Sequence, residues 1–251
     1  MPVLRVALDL PLHRLFDYLA LTASTTDVGL RVRVPFGRGE RIGVIVEVCE
    51  ISEWPLAQLK PAGEILRDLP PLPPDFFALC AFASTYYQAP FGEVVLQGLP
   101  VGLKRLDPPD RRKARALRPS AATPRPELTL EQSTALAAID LQAGFATHLL
   151  HGVTGSGKTE VYLRCVQEML MRDPSAQALV MVPEINLTPM LLERFTARFG
   201  ATQVAAMHSG MTPAQRLTNW LAAHLGQARI ILGTRMAVLC SAPGLRLIVV
   251  D

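Results

Sequence analysis

An eight-residue phosphate-binding loop constrains the fold of this chain more than any other feature. Residues 152–159 read G-V-T-G-S-G-K-T, after an apolar segment at 146–150 and before a helix-like segment at 160–166. Glycines let the backbone curl so that successive N–H groups converge on phosphate oxygens, and the following helix N-terminus adds partial positive charge. Because such a loop joins a strand to a helix, the sequence predicts an α/β domain that handles a nucleoside triphosphate.

The loop also supplies candidate ligands for ATP and its magnesium ion. Lys158 places a positive charge near the β- and γ-phosphates, and the hydroxyl of Thr159 is suited to Mg²⁺. The rest of the predicted cofactor-binding set lies in the same loop and consists of Gly152, Thr154, Gly155, Ser156 and Gly157. We therefore predict that this loop binds a nucleoside triphosphate and Mg²⁺, and the resemblance described below implies that the nucleotide is ATP.

Length and composition indicate two globular domains. The chain has 251 residues, of which 49% are hydrophobic and 19% are charged, which is enough for two separate cores. The apolar runs are of strand length, well short of the ~20 residues of a membrane-spanning helix, and the N-terminus lacks a signal peptide. We expect a cytoplasmic protein without membrane contact. The widely spaced cysteines predict reduced thiols.

Residues 104–126 divide the chain into two parts with different patterns. This segment is rich in proline, lacks apolar periodicity and has an excess of basic residues. Basic charge can follow a phosphate backbone, and it is equally typical of a solvated linker, so both interpretations stay open. We predict one domain at 1–103 and a second at 127–251.

The first part is predicted to be a small β-rich domain. Short β-branched segments at 3–8, 15–20, 30–34 and 41–48 are separated by proline and glycine turns. Residues 74–88 change to a helical period, so a helix follows the strands.

The second part alternates helices with strands. Helices are predicted at 130–141, 158–172, 187–199 and 213–225, and strands at 146–151, 178–182, 202–207, 229–232 and 246–251. Such alternation requires crossover connections and favours a parallel sheet with helices on both faces. Ligands of these sheets gather at the carboxyl ends of the strands.

Polar residues follow several of the predicted strands. Asp251 ends an apolar strand, as does the acid that organises Mg²⁺ in phosphate-loop enzymes; many buried strands also end in Asp, and the loop upstream favours the magnesium role. The strand-end candidates for contact with nucleic acid are Glu184, His208, Thr234 and Arg235. His208 is equally compatible with a buried core histidine. Because a water-activating acid would follow Asp251, we expect the chain to be a fragment.

Taken together, these motifs resemble those of superfamily 2 helicases. They are L-T-x-E-Q at 128–132, the phosphate loop, V-P-E-I-x-L-T-P at 182–189, H-S-G at 208–210, G-T-R at 233–235 and L-I-V-V-D at 247–251. Their wording is similar to that of the primosomal replication-restart helicases, the primosomal protein N′ family. The F-D-Y turn at 16–18 and the P-F-G turn at 35–37 resemble the DNA 3′-end-binding domain of that family. The resemblance covers nearly the whole chain outside the linker.

The resemblance implies a RecA-like helicase lobe behind a DNA-binding domain. The implied activity is that of an ATP-dependent 3′→5′ DNA helicase that recognises abandoned forks through the nascent-strand 3′ end and starts replisome reloading. The implied adenine contact is Gln132, and the implied catalytic residues are Lys158, Thr159 and Asp251. Having one lobe, the fragment is expected to bind DNA and nucleotide without robust turnover.

The resemblance also implies a pocket for the 3′-terminal nucleotide. Its residues correspond to Phe16, Asp17, Tyr18, Gly37 and Lys60. In such a pocket an aromatic ring can stack on a base, a carboxylate can accept a hydrogen bond from the 3′-hydroxyl and a lysine can meet phosphate. Without the resemblance, Phe16 and Tyr18 would be interpreted as core residues.

The resemblance further implies partners and parts beyond this chain. The DNA partners are forks, nascent-strand 3′ ends and single strands, and the protein partners are single-stranded DNA-binding protein, PriB, DnaT and the replicative helicase loader. The winged-helix domain usual in the family does not fit within residues 104–126. The second helicase lobe and the zinc-binding cysteines would follow Asp251, so we expect no zinc in this fragment.

Two alternative functions are also compatible with the sequence. The chain could be a 3′-end DNA-binding module whose ATPase is vestigial. It could also belong to another superfamily 2 motor, of restriction type or directed to RNA, because the phosphate loop and G-T-R recur there. The F-D-Y and P-F-G turns argue against this second alternative.

Overall fold

The computed structural model describes residues 1–106, 126–139, 144–183 and 189–251. Their contacts form two compact units. The first unit contains the described residues up to 106 together with Gly210–Leu225 and Leu239–Pro243, and the second contains the rest. The predicted domains, 1–103 and 127–251, are each continuous in sequence. The contacts differ from this division, because they place two later segments in the first unit. Most of the predicted linker lies outside the described residues.

A five-stranded antiparallel sheet organises the first unit. Its strands are β1 (Val3–Ala7), β2 (Phe16–Leu19), β3 (Arg31–Phe36), β4 (Gly39–Cys49) and β5 (Ile65–Leu66), in the order β2-β1-β4-β3-β5. The first four agree with the predicted segments to within a few residues. The sequence did not predict β5, because two residues are too few to show a period-two pattern.

Among the residues that the structure describes, three α-helices complete the first unit. They are α1 (Pro74–Tyr87) and α2 (Phe91–Gln97), and the later α6 (Pro213–His224). The helix α6 is anchored by Trp220, which is 2% exposed and whose Nε1 donates to the carbonyl oxygen of Gly98 at 2.8 Å. The next turn of α6 places His224 Nε2 3.0 Å from the carbonyl oxygen of Pro70.

A four-stranded parallel sheet organises the second unit, as the alternation of helices and strands predicts. Its strands are β6 (Gln177–Met181), β7 (Val204–Met207), β8 (Ile230–Gly233) and β9 (Leu245–Val250), in the order β7-β8-β6-β9. The helices α3 (Leu130–Ala138), α4 (Lys158–Arg172) and α5 (Pro189–Phe199) belong to this unit. Its apolar cluster joins α4, α5 and the strands. The first unit is thus an antiparallel β-sheet domain, and the second is a parallel α/β lobe of RecA-like type.

The prediction of a strand at 146–151 is wrong. The structure has no strand there, and Leu149 is 91% exposed. Apolar residues alone do not make a strand, because a strand also needs a neighbour that pairs with its backbone. Within the described ranges, no helix combines the length and the apolar character needed to cross a bilayer.

Candidate functional site

A cavity of about 330 Å³ lies in the first unit, between the start of β2, the β3–β4 turn and the segment 54–60. Its lining is formed by Arg14, Leu15, Phe16, Asp17, Tyr18, Pro35, Phe36, Gly37, Trp54, Gln58, Leu59 and Lys60. The five residues that the resemblance assigns to a 3′-end pocket are all in this lining. The fold therefore brings them together from three separate segments of the chain.

Local backbone geometry builds two of the pocket walls. The β3–β4 turn has two residues between the paired Phe36 and Gly39, and its first residue, Gly37, has a φ of +61°. This left-handed value favours glycine, which has no Cβ to clash with the backbone. On the opposite side, the backbone N–H of Leu19 donates to the carbonyl oxygen of Lys60 at 3.0 Å, which ties the lysine segment to β2.

The carboxylate of Asp17 is held in place by two neighbours. The hydroxyl of Ser52 donates to Oδ2 at 2.6 Å, and Nε of Arg5 lies 3.7 Å from Oδ1. The Asp17 side chain is 9% exposed. An ionised carboxylate has about four lone-pair positions, so it can still accept a hydrogen bond from a ligand hydroxyl.

The pocket aromatics already have packing partners. Phe16 meets Phe36 edge to face with a centroid distance of 5.4 Å, and the guanidinium of Arg14 lies 4.9 Å from the Phe16 centroid. Tyr18 is 5% exposed, and its hydroxyl donates to the carbonyl oxygen of Pro35 at 3.2 Å. Tyr18 belongs to the apolar core, and Phe16 packs against that core. Phe16 and Tyr18 therefore contribute to the apolar core and also line the cavity.

The phosphate loop of the second unit leads directly into α4. Gly155 and Gly157 both have a φ of +82°, a left-handed conformation that glycine adopts without strain. Lys158 is the first residue of α4, and its Nζ donates to the carbonyl oxygens of Gly152 at 2.7 Å and Val153 at 3.1 Å. The ammonium group thus lies against the loop from which it projects.

Gln132 also contacts the phosphate loop. Its Nε2 donates to the carbonyl oxygen of Gly157 at 3.2 Å, while its Oε1 accepts from the backbone N–H of Thr129 at 3.0 Å. Thr129 in turn caps α3 through its hydroxyl. The structure therefore brings Gln132 to the loop, and its contact with adenine stays a prediction.

Tyr162 connects the two candidate magnesium ligands. Its hydroxyl oxygen lies 3.1 Å from Oγ1 of Thr159 and 3.3 Å from Oδ2 of Asp251. A hydroxyl and a carboxylate are the hard oxygen ligands that Mg²⁺ prefers, so the donor set fits this ion. Burial raises the pKa of the Tyr162 hydroxyl, which keeps it protonated. Sequence reasoning missed Tyr162, although its spacing of three residues from Thr159 puts both on one helix face.

An ion-pair cluster stabilises the start of α4. Glu160 is held by Arg198 from α5 at 2.8 Å and by Arg164 at 2.8 Å. Burial acts to raise the pKa of Glu160, but hydrogen bonds from Arg198 and Arg164 outweigh it, so this pKa lies below its ordinary value. The cluster thus fixes α4, and with it the phosphate loop, against α5.

The strand-end candidates differ in exposure. Met207 and Gly233 are paired neighbours, so His208 and Thr234 follow adjacent strand ends, as the parallel topology predicts. Thr234 is 4% exposed, His208 is half-buried and Arg235 is exposed. Glu184 lies outside the described residues.

The described residues contain no group of three or more His, Cys, Asp or Glu side chains that could hold a metal ion. The zinc site that the resemblance implies for a later part of the family's chain stays a prediction. The cysteines are all free thiols, namely Cys49, Cys80, Cys165 and Cys240.

Comparisons with known families match both units. Residues 5–100 match the 3′ DNA-binding domain of PriA, and residues 129–251 match the DEAD/DEAH box helicase domain. The replication restart protein PriA of Haemophilus influenzae is 31% identical to the whole of this chain, which covers 44% of that protein. PriA of Treponema pallidum is also 31% identical to the whole chain, which covers 38% of it. PriA of Synechocystis is 45% identical over 52% of this chain and 15% of its own length.

The chain therefore spans less than half the length of the curated relatives that it matches from end to end. The two full-length alignments also differ in extent. The alignment with the Haemophilus protein has 324 positions, more than the 251 residues of this chain, and the alignment with the Treponema protein has 262. The first relative thus has additional residues inside the matched region. This difference is consistent with a missing winged-helix domain, which stays a prediction.

Proposed function

Because the chain belongs to the PriA family of replication restart proteins, we propose that it contributes DNA-end recognition and an ATP-binding lobe to a 3′→5′ DNA helicase. The helicase recognises stalled or abandoned forks through the 3′ end of the nascent strand and starts replisome reloading. The observation that carries this proposal is the 330 Å³ cavity, because its lining unites all the residues that the resemblance assigns to 3′-end binding.

The first unit acts as the DNA-end reader. Asp17 accepts a hydrogen bond from the 3′-hydroxyl of the terminal nucleotide, and its negative charge repels a strand that ends in phosphate. Lys60 and Arg14 supply positive charge for the preceding phosphate group at the same cavity. Recognition of the strand end is therefore independent of base sequence, which suits a protein that must act on any fork.

The second unit acts as one half of an ATP site. The DEAD/DEAH domain implies ATP and Mg²⁺. Lys158 contacts the β- and γ-phosphates, the loop N–H groups surround them, and Thr159 and Asp251 hold Mg²⁺. Magnesium neutralises the charge that develops on the phosphates. Gln132 stands beside the loop to contact adenine.

This chain by itself binds nucleotide without robust turnover. The support is that all its candidate nucleotide ligands belong to a single lobe. In a two-lobed motor, closure of the cleft around ATP changes the grip on one DNA strand and couples hydrolysis to translocation. Efficient DNA-stimulated hydrolysis by residues 1–251 would contradict this part of the proposal.

Family membership also supports the partners and the setting of the proposal. Forks, nascent-strand 3′ ends and single strands are the proposed DNA partners. Single-stranded DNA-binding protein, PriB, DnaT and the replicative helicase loader are the proposed protein partners. The proposed location is the cytoplasm, at the nucleoid. The match of residues 5–100 favours this function over another superfamily 2 motor. The binding-module alternative predicts DNA-end binding without nucleotide binding.

The pocket is tested with 5′-labelled single strands that end in a 3′-hydroxyl or a 3′-phosphate, by fluorescence anisotropy. We expect the 3′-hydroxyl strand to bind about tenfold more tightly, since hydrogen bonds to charged groups contribute roughly 1.5–3 kcal/mol. Asp17→Asn should abolish this preference, because the charge that repels phosphate is gone. The matched control, Asp75→Asn at an exposed position of α1, should keep it. Equal affinities of the unaltered protein for both strands would refute the pocket.

A further inference from the structure

The cavity lining has two aromatic side chains that the resemblance does not assign, Phe36 and Trp54, and Trp54 is the exposed one. Trp54 is in the same lining as Asp17 and Lys60, and 54% of it is exposed. Such exposure is unusual for the largest apolar side chain, since tryptophan is highly buried on average. An exposed indole at the wall of a cavity is available to a ligand.

The other rings of the pocket are less available. Tyr18 is buried, and Phe16 forms a T-shaped pair with Phe36 and has the guanidinium of Arg14 over its ring. The ring of Phe36 also has a cation over it, from Arg41 at 5.5 Å. Over the part of the chain that the structure describes, the indole of Trp54 has neither a ring partner nor a cation above it. A base that enters the cavity therefore finds its free stacking surface on Trp54.

A short chain of hydrogen bonds ties Trp54 to the carboxylate of the pocket. The backbone N–H of Trp54 donates to Oγ of Ser52 at 3.0 Å, and the hydroxyl of Ser52 donates to Oδ2 of Asp17 at 2.6 Å. One serine thus contacts both the acid and the backbone that carries the indole. The backbone from which the indole projects is therefore tied to the Asp17 carboxylate through Ser52.

We propose that Trp54 stacks on the terminal base of the bound DNA strand and that Ser52 positions it relative to Asp17. This inference rests on the proposed function of the cavity and adds to it the residue that grips the base. Every base has a π-face, so stacking on Trp54 adds affinity without adding sequence preference. The carboxylate then recognises the end of the strand, and the indole provides affinity for the nucleotide that bears it.

The inference is tested by a cycle that combines Trp54→Ala with removal of the terminal base. Two 3′-hydroxyl strands are compared by anisotropy on the 251-residue chain, one intact and one with an abasic 3′-terminal nucleotide. We expect the unaltered protein to bind the abasic strand at least about fivefold more weakly, since stacking contributes roughly 1–3 kcal/mol per base. Trp54→Ala should bind both strands with equal affinity, and Trp54→Phe should restore part of the difference.

A control variant and a second measurement distinguish a loss of stacking from misfolding of the variant. Tyr87→Ala removes an aromatic ring that is 73% exposed on α1 and should leave the fivefold difference unchanged. Thermal melts establish that each variant is folded. The chain has only two tryptophans, and Trp220 is 2% exposed, so quenching of tryptophan fluorescence by the intact strand reports on Trp54. The quenching should disappear in Trp54→Ala.

The outcomes separate this inference from the proposed function. If Trp54→Ala keeps both the abasic penalty and the quenching, stacking on Trp54 is wrong, even where the unaltered protein prefers a 3′-hydroxyl over a 3′-phosphate. If the unaltered protein does not prefer a 3′-hydroxyl over a 3′-phosphate, the end-recognition pocket is wrong. Weaker binding of the abasic strand that disappears in Trp54→Ala would still show that the terminal base stacks on Trp54. Ser52→Ala should reduce both the preference for a 3′-hydroxyl and the quenching, because it removes the hydroxyl that contacts the Asp17 carboxylate and the Trp54 backbone N–H.

Discussion

The hydroxyl oxygen of Tyr162 lies 3.3 Å from Oδ2 of Asp251, and the same oxygen lies 3.1 Å from Oγ1 of Thr159. A phenol has one proton, which Tyr162 can donate either to the hydroxyl oxygen of Thr159 or to the carboxylate of Asp251. Tyr162 therefore connects the two candidate magnesium ligands.

Removing this hydroxyl should weaken the contribution of magnesium to nucleotide binding. In Tyr162→Phe we expect the gain in affinity that Mg²⁺ provides to fall about fivefold, since one hydrogen bond contributes roughly 1 kcal/mol. Affinity in EDTA should be unchanged, because Lys158 and the loop are intact. Titration with a fluorescent ADP analogue, with Mg²⁺ or with EDTA, measures both values. Tyr87→Phe is the control, and an identical magnesium effect in Tyr162→Phe would contradict the prediction.

Two lysine variants should each weaken the binding of a different ligand. Lys158→Ala is expected to weaken nucleotide binding at least tenfold while DNA-end affinity stays the same. Lys60→Ala should weaken DNA binding and reduce the slope of log affinity against log salt by about 0.7, the value for one phosphate contact on a single strand. Nucleotide titrations and salt-dependent anisotropy on both variants test this. Loss of both activities in either variant would indicate general unfolding instead.

Acid should destabilise the protein partly through Glu160. The folded-state pKa of Glu160 lies below its ordinary value of 4.5, so its stabilisation is fully present above that pH and is lost as the pH falls through the folded pKa. In Glu160→Gln we expect a loss of about 2 kcal/mol or more at neutral pH, because Arg198 then lacks its buried partner. The difference in stability from the unaltered protein should shrink below about pH 4.

Thermal unfolding of both proteins between neutral and acidic pH tests this sign. Other acids also lose their native partners in this range, so the difference between the two proteins is the informative quantity. Glu168→Gln breaks an exposed pair with Arg172 and should cost less than about 1 kcal/mol at any pH. A pH-independent effect of Glu160→Gln would show that its ion pairs are not the cause.

Trp220 should contribute strongly to stability. Trp220→Ala leaves a cavity and removes the donor to the carbonyl oxygen of Gly98, so we expect a loss of about 3–5 kcal/mol in the free energy of unfolding. Trp220→Phe should cost less, because it keeps most of the apolar contact. Urea denaturation measures both changes. A loss below about 1 kcal/mol in Trp220→Ala would contradict the anchoring role of this side chain.

Patterns along the chain predicted most of the fold, because helix periods and turn residues are local. The helix that follows the phosphate loop begins and ends where predicted, at Lys158 and Arg172. The strand predicted at 146–151 is wrong for the opposite reason, because a strand depends on pairing with a distant neighbour that apolar residues alone do not reveal. The pocket residues came from a resemblance in short sequence motifs, not from periodicity.

The missed residues are those whose role depends on tertiary contacts. Trp54 and Ser52 lie in a loop without regular pattern, and only the fold brings them to Asp17. Tyr162 had a local signal, its helical spacing from Thr159, but its second partner, Asp251, lies far along the chain. No pattern within either segment predicts that the two meet.

Because the Lys158 ammonium is already hydrogen-bonded to the loop, a measured nucleotide affinity is a net value. In the proposed nucleotide complex, the hydrogen bonds of this ammonium to the carbonyl oxygens of Gly152 and Val153 are exchanged for bonds to phosphate. Hydrogen bonds with one charged partner are already strong, so the exchange recovers only part of the attraction between ammonium and phosphate. A measured dissociation constant therefore reflects both the bonds that Lys158 gains to phosphate and the bonds that it loses to the carbonyl oxygens of the loop.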